Sequence, residues 1–193
     1  MNFEPIVESV SRSVQLNREE IEYFTSLLEC KVVKKKNFLL MTGDICLYDY
    51  FVVSGCFKVC YSDDTGTEFI VKFALENWWV VDLESFINQT PSFFYIQAIE
   101  DSKVLQLSRS NYDKLLRKIP AFHKFSNERW QNGFIALQHR IMHDQSMTAE
   151  ERYRRFKEKY PTLEQRIPQK LIAAYLGITS EFLSMIRKKI LIS

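Results

Sequence analysis

The chain has 193 residues, of which 46% are hydrophobic and 26% are charged, and its formal net charge is +2. This composition excludes an intrinsically disordered protein, and the small net charge excludes a uniformly basic nucleic-acid coat protein. No apolar run reaches the length of a membrane span, and residues 1–13 lack the basic-then-apolar order of a signal peptide. We therefore expect a cytoplasmic protein with no membrane partner.

The first predicted element is a short amphipathic helix. Asn17 is followed three residues later by Glu20, which is the spacing of a capping box. Ile21, Phe24 and the Leu27–Leu28 pair then recur at helical period.

After Lys36 the apolar period changes to that of strands. We place strands in seven segments: Phe38 to Met41, Tyr50 to Val53, Phe57 to Tyr61, Thr67 to Phe73, Trp78 to Val81, Phe94 to Ile99 and Lys103 to Leu107. The turn sequence from Asp63 to Gly66 predicts a hairpin between two of them. Many short strands with turns between them indicate an antiparallel sandwich or roll.

The cysteines Cys30, Cys46, Cys56 and Cys60 all fall in or near this strand region. We expect free thiols, as is usual in the cytoplasm. Cys56 and Cys60 share a face of one predicted strand, but the chain has no Cys-x-x-Cys pair. The spacing therefore favours neither an iron-sulfur nor a zinc site.

A short helix capped by Ser108 or Ser110 ends before Pro120, and a long helix follows from Ala121 to about Gln145. Its apolar residues form a narrow seam with the alternating spacing of a coiled coil: Trp130, Phe134, Leu137 and Ile141. Two interpretations remain, packing on the strand domain and pairing with a second copy. We favour the homodimer. The three predicted regions are 1–119, 120–147 and 148–193.

The C-terminal region begins with a capping box at Thr148 to Glu151 and continues as a predicted helix-turn-helix between Ile167 and Ile190. Its predicted buried face consists of Ile172, Ala173, Leu176, Ile178, Leu183 and Ile186, with Gly177 at the turn and Thr179 as the second helix's cap. The candidate DNA contacts are Thr179, Ser180, Glu181, Ser184, Met185, Arg187, Lys188 and Lys189, with Gln169 and Lys170 on the first helix. A plain pair of packed helices is the alternative.

Charge is distributed unevenly along the chain. Ala149 to Ser193 carries ten basic and five acidic side chains, a net charge of +5, which leaves −3 for the residues before it. This distribution is typical of a protein in which one domain meets phosphate and the other does not.

The order of helix, roll, long helix and helix-turn-helix resembles the Crp/Fnr family of bacterial transcription regulators. Residues 27–37, Gly43–Asp44 and 50–55 resemble that family's roll, and Gly177 with Thr179 and Glu181 resembles its recognition segment. The resemblance implies an α+β protein with an antiparallel β-roll (a double-stranded β-helix, like cyclic-nucleotide-binding domains) and flanking helices. A long dimerisation helix and a C-terminal winged-helix or helix-turn-helix domain complete it. It also implies three partners: double-stranded DNA, a second copy of the chain and RNA polymerase.

The chain departs from this family where the family grips a cyclic nucleotide's phosphate with Gly-Glu and Arg-Ser pairs. The matching positions, a candidate effector pocket, are Val81, Asp82, Leu83, Ser92 and Phe93. A buried phosphate without a guanidinium partner is costly, so we expect weak or absent cAMP binding and infer no definite cofactor. The nearby aromatic side chains predict a filled pocket or, alternatively, an apolar ligand: Trp78, Trp79, Phe86, Phe93, Phe94 and Tyr95.

The recognition segment departs as well, because Met185 stands where the family commonly has an arginine. Loss of a bidentate guanine contact shifts or weakens base discrimination. A ligand-binding or interaction module with weakened DNA specificity is therefore an alternative function. A cupin-like metalloprotein is another, but His123, His139 and His143 all lie on the long helix, away from the strands. We expect no catalytic activity and no metal.

Overall fold

The structure, a computed structural model, describes residues 2–192, with side chains as far as residue 190. Met1 and Ser193, the outermost residues of the predicted regions, lie outside the described residues. The strands are β1 (Leu28–Val33), β2 (Phe38–Leu40), β3 (Tyr48–Ser54), β4 (Phe57–Ser62), β5 (Glu68–Ala74), β6 (Trp79–Val80), β7 (Tyr95–Ala98) and β8 (Ser102–Ser108). The helices are α1 (Glu4–Ser11), α2 (Arg18–Ser26), α3 (Leu83–Asn88), α4 (Arg109–Lys118), α5 (Phe122–Ser146), α6 (Ala149–Lys159), α7 (Leu163–Arg166), α8 (Gln169–Leu176) and α9 (Ser180–Ile192).

The strands form two antiparallel sheets, ordered β1-β8-β3-β6 and β2-β7-β4-β5. The predicted antiparallel roll, its seven strands and the α+β class are confirmed. One boundary was wrong: Leu28 begins β1, opposite Leu107 of β8, and does not end the first predicted helix. The strand escaped prediction because Val32 is exposed next to buried Val33, so β1 lacks regular alternation.

The predicted helix starts are confirmed by their hydrogen bonds. Asn17 and Glu20 form a reciprocal capping box at α2, and Thr148 and Glu151 form another at α6. The Ser108 side chain accepts from the N–H of Asn111 at the start of α4. These caps satisfy N–H groups that would otherwise lack a partner at each helix start.

Two hydrophobic cores hold the chain together. The first fills the roll and includes α1, α4 and the start of α5, where Phe122 and Phe125 are buried. The second lies outside the roll, between β4, β5 and the helices after residue 147. Its centre is Phe73 of β5, whose ring contacts Tyr160 and Tyr175 at centroid distances of 5.7 and 5.5 Å.

The described residues after 147 form four helices and no strand. The helices of the predicted C-terminal domain are therefore present in this region. The wing of a winged-helix domain is built from strands, and the described residues of this region contain none. Among the helices that the structure describes, none combines the length and apolarity needed to cross a membrane.

The turn between β3 and β4 depends on Gly55. Its φ is +94°, and a Cβ at this position would lie 2.1 Å from the Ser102 Oγ. An L side chain is therefore excluded both by backbone strain and by a direct clash.

We expect Gly55→Ala to lower the free energy of unfolding by about 2 kcal/mol or more, as measured by urea denaturation. Gly133→Ala is the matched control, because Gly133 lies within α5 and an added Cβ there meets no atom within 4 Å. The control should stabilise the protein by roughly 0.5–1 kcal/mol. Equal effects of the two substitutions would contradict the proposed role of Gly55.

Candidate functional site

The helices α8 and α9 meet at a tight turn around Gly177, which has a φ of +65°. The N–H of Ile178 donates to the carbonyl of Ala173 at 3.1 Å, which closes the end of α8. Five of the residues predicted to face inward are buried, and Ile178 is half-buried: Ile172, Ala173, Leu176, Leu183 and Ile186. This packing directs the opposite face of α9 toward solvent.

The outward face of α9 carries most of the candidate DNA contacts. Thr179 caps the helix, since its Oγ accepts from the N–H of Phe182 at 3.2 Å. Glu181, Met185 and Lys188 are exposed, and Ser180 and Ser184 are half-buried. Phe182 is 46% exposed on the same helix and was not predicted as part of this surface. Phe182 directly precedes Leu183, which was predicted to be buried, and neighbouring residues of a helix point in different directions. The sequence therefore already indicated that Phe182 is exposed.

Two of the candidate cations at this helix have carboxylate partners within the chain. Arg187 lies 3.1 Å from Glu164 of α7, and the Lys189 Nζ lies 2.7 Å from Glu150 of α6. These ion pairs connect α9 to α7 and α6. Gln169 and Lys170 are both exposed at the start of α8.

In the roll, the structure brings together two of the five candidate effector residues. The Ser92 Oγ donates to the Asp82 Oδ2 at 2.5 Å, and both residues are buried. Asp82 also caps α3 by accepting from the N–H of Ser85, and the Ser92 Oγ accepts from the N–H of Phe94 at 3.0 Å. Both side chains are thus occupied by contacts within the chain.

The other candidate effector residues do not join this pair in one surface. Val81 is half-buried and packs on the roll core, Leu83 is exposed, and Phe93 is 75% exposed. The aromatic residues around the site pack mainly on protein. Phe86 is fully buried and contacts Tyr112.

Two cations of the roll region were missed by the sequence reasoning. Lys72 of β5 is half-buried, and burial together with the nearby charge of Arg129 lowers the pKa of Lys72 to about 8. Arg129 of α5 forms an ion pair with buried Asp49, and its guanidinium lies 4.6 Å from the centre of the Trp79 ring. Asp49 and Asp82 both favour the charged form of Lys72. Because Lys159 also disfavours the charged form of Lys72, three cations face two carboxylates here. Lys72 was not predicted as a site residue because it occupies a polar position in a strand that alternates apolar and other residues.

Part of the predicted seam on α5 is left uncovered. Phe134, Leu137 and Ile141 are exposed, together with Ile135 and Met142, which were not predicted. Trp130 differs, because it packs against the roll core and its ring lies 6.2 Å from that of Tyr112.

The cysteines and histidines of the described residues form neither a disulfide nor a cluster of metal ligands. All four cysteines are free thiols, and burial raises the pKa of Cys56 and of Cys60 to about 12, so both stay protonated at neutral pH. The rings of His139 and His143 lie 6.2 Å apart. Within residues 2–192, no group of three or more His, Cys, Asp or Glu side chains is arranged to hold a metal ion.

Residues 30–119, which span most of the roll, match the family model of the cyclic nucleotide-binding domain. No curated protein matches the sequence. Solved structures do, at low identity, and several of them are regulators of the Crp/Fnr type.

One similar structure is the c-di-GMP-responsive global regulator CLP of Xanthomonas campestris, with a TM-score of 0.73 and 13% identity over 90% of this chain and 91% of that one. FixK2 of Bradyrhizobium japonicum has a TM-score of 0.69 and 18% identity over 84% and 83% of the two chains. A CooA mutant of Carboxydothermus hydrogenoformans has a TM-score of 0.68 and 17% identity over 95% and 83%. The chain therefore has the fold of Crp/Fnr-type regulators, with a cyclic-nucleotide-binding-like roll.

We expect cAMP at about 1 mM to leave the melting temperature unchanged, because binding to the folded state alone would raise it. The physical reason is that Ser92 stands where the resemblance implies an arginine, and that its hydroxyl is bonded to the Asp82 carboxylate. Differential scanning fluorimetry measures the effect, with adenosine as the uncharged control. A clear upward shift by cAMP alone would show that the roll accepts a phosphate.

Proposed function

We propose that this protein is a sequence-specific, DNA-binding transcription regulator of the Crp/Fnr type. The observation that carries the proposal is the packed pair α8 and α9, which leaves Glu181, Met185 and Lys188 on an exposed helix face. In helix-turn-helix proteins this second helix enters the major groove. The low-identity structural neighbours support the fold on which the proposal rests.

The chemistry of this face suits limited base readout. The Glu181 carboxylate is suited to accept from a cytosine amino group, and exposed Met185 offers an apolar contact to a thymine methyl. Lys188 is suited to a phosphate contact. Because Met185 replaces the arginine common in the family, we infer an operator that differs from the guanine-directed one.

We expect Lys188→Gln to weaken binding to duplex DNA to a similar extent for all sequences. Loss of one phosphate contact should reduce the slope of log affinity against log salt by about one. Lys118→Gln is the control, since it removes the same charge from an exposed position on α4. Fluorescence anisotropy on a duplex from upstream of the protein's own gene measures both variants.

The DNA target should contain two half-sites about 34 Å apart, or a multiple of that spacing. If the wild-type protein shows no preference for its own upstream duplex over random duplex, the transcription-regulator proposal is wrong. Unequal losses on specific and random duplex after Lys188→Gln would instead assign Lys188 to base readout.

We further propose that α5 pairs with α5 of a second copy. The exposed apolar residues repeat at seven-residue intervals, with Phe134 matched by Ile141 and Ile135 matched by Met142. Leu137 completes the seam of a two-stranded coiled coil. Such an exposed apolar face indicates an interaction surface, and a two-fold helix pair buries it symmetrically.

We expect the double variant Phe134→Asp with Ile141→Asp to be monomeric, because two buried charges on each helix oppose pairing. Asn132→Asp is the matched control, since exposed Asn132 lies on a different face of α5. Sedimentation equilibrium measures the mass. A wild-type monomer at micromolar concentration, or a dimeric double variant, would rule out this interface.

The proposed mechanism is that a change in the roll alters the spacing of the two recognition helices. Its structural basis is the second core, where β5 packs directly on the C-terminal helices. Arg140 of α5 reinforces this contact by donating to the carbonyls of Ile70 and Tyr175, each at 3.1 Å. One side chain therefore joins the long helix, the roll and α8.

An interaction module with weakened DNA specificity is the second candidate. It is favoured by the ion pairs that engage Arg187 and Lys189, which leave fewer cations for phosphate contacts. The DNA titration above separates the two candidates, because a module of this kind binds specific and random duplexes alike.

A further inference from the structure

A cavity of about 400 Å³ opens between α5, α6 and α8. Its volume lies within the range of roughly 300–1,000 Å³ that is typical of small-molecule sites. Part of the lining is aromatic, from Phe156 and Tyr175, and most of the rest is charged. This cavity is separate from Asp82, Ser92 and the rest of the candidate effector pocket.

The lining of the cavity carries an excess of positive charge. The cations are Arg140, Arg152, Arg155 and Lys159, and the carboxylates are Asp144 and Glu158. The excess is therefore two positive charges, before any contribution from His139 and His143, which also line the cavity. A ligand with two negative charges would balance it.

Two of the four cations, Arg140 and Arg152, are fixed by backbone carbonyls. The Arg152 guanidinium donates to the carbonyls of Met147 and Leu176 at 2.9 and 3.2 Å, and Arg140 is likewise fixed by carbonyls. Such carbonyls fix a guanidinium in place without neutralising it. Asp144 is the carboxylate near both, at 4.0 Å from the Arg152 Nε and 3.5 Å from the Arg140 Nε.

Arg155 and Lys159 lie one helical turn apart on α6. Within the described residues, neither has a carboxylate at ion-pair distance. Burial, and then the charge of Arg140, lower the pKa of Lys159. Lys159 is thus held near the charge of Arg140, and an anion bound beside the two would relieve the repulsion.

The lining of the cavity does not include the seam residues Phe134, Leu137 and Ile141. At 100° per residue along α5, His139 and His143 project to the side opposite Phe134, Leu137 and Ile141. Arg140 and Asp144 lie nearer the seam, and both also line a neighbouring pocket with Leu137 and Ile141. No residue of α9 lines the cavity.

We propose that this cavity binds a small phosphate monoester with a planar aromatic body, of the class of nucleoside monophosphates. The phosphate dianion matches the excess of two positive charges, with Arg155 and Lys159 as its contacts. Tyr175 and Phe156 supply the apolar wall for the planar group. Because the walls come from α5, α6 and α8, an occupant would stabilise this arrangement of the long helix and the C-terminal helices.

The test is calorimetric titration of the full chain with AMP, and with adenosine and inorganic phosphate as partial probes. We expect AMP to bind more tightly than either partial probe. The double variant Arg155→Gln with Lys159→Gln should weaken AMP binding about tenfold or more, because two charge-assisted contacts are lost. Arg154→Gln is the matched control, since Arg154 is paired with Glu150 at 3.0 Å and does not line the cavity.

Thermal unfolding checks that each variant is folded, and the single Arg155→Gln variant, with a smaller expected loss, replaces the double variant if that one unfolds. The proposal is wrong if AMP does not bind the wild-type protein, or if it binds wild type and double variant equally. It is also wrong if the double variant loses duplex DNA affinity while the wild type ignores AMP, because the cations would then be a DNA contact. None of these outcomes depends on whether the protein regulates transcription.

Discussion

The packing of β5 against the C-terminal helices is the contact on which the rest of the structure depends. Phe73 is fully buried. Its ring contacts those of Phe156 in α6, of Tyr160 directly after α6, and of Tyr175 in α8. Aromatic pairs of this kind contribute about 0.5–1.5 kcal/mol each beyond the area they bury. Because Phe73 belongs to the roll and its neighbours belong to the helical region, the two regions share one core.

A second attachment lies beside the first and is electrostatic. The Arg166 guanidinium contacts Glu76 at 2.7 Å and also pairs with Glu100, and both carboxylates belong to the roll. Burial alone would raise the pKa of Glu76, but hydrogen bonds from Arg166 lower it, so this carboxylate stays charged. The same carboxylate accepts from the N–H of Gly55 at 3.0 Å. The turn between β3 and β4 is therefore linked through one carboxylate to the helices that precede α8.

Local patterns predicted most of the fold, and long-range contacts account for what they missed. The capping boxes at Asn17 and Thr148 need only neighbouring residues, so they were readable from the sequence. By contrast, β1 is defined by its pairing with β8, which is distant in the sequence, and its own alternation is irregular. The second core was equally hidden, because Phe73 belongs to a normal alternating strand and nothing local shows what covers its ring.

In the candidate sites, too, features set by neighbouring residues were predictable and those set by distant residues were not. The buried face of α8 and α9 depends on helical spacing and was predictable, whereas the partners of Arg187 and Lys189 come from other helices and were not. The missing phosphate grip was visible as Ser92 in place of an arginine, but its consequence needed the structure. With Ser92 bonded to Asp82, both side chains are occupied by a contact within the chain. A buried carboxylate without a guanidinium beside it offers little to a phosphate. An excess of cations lies instead between α5 and α6, where an anion would meet both the long helix and the C-terminal helices.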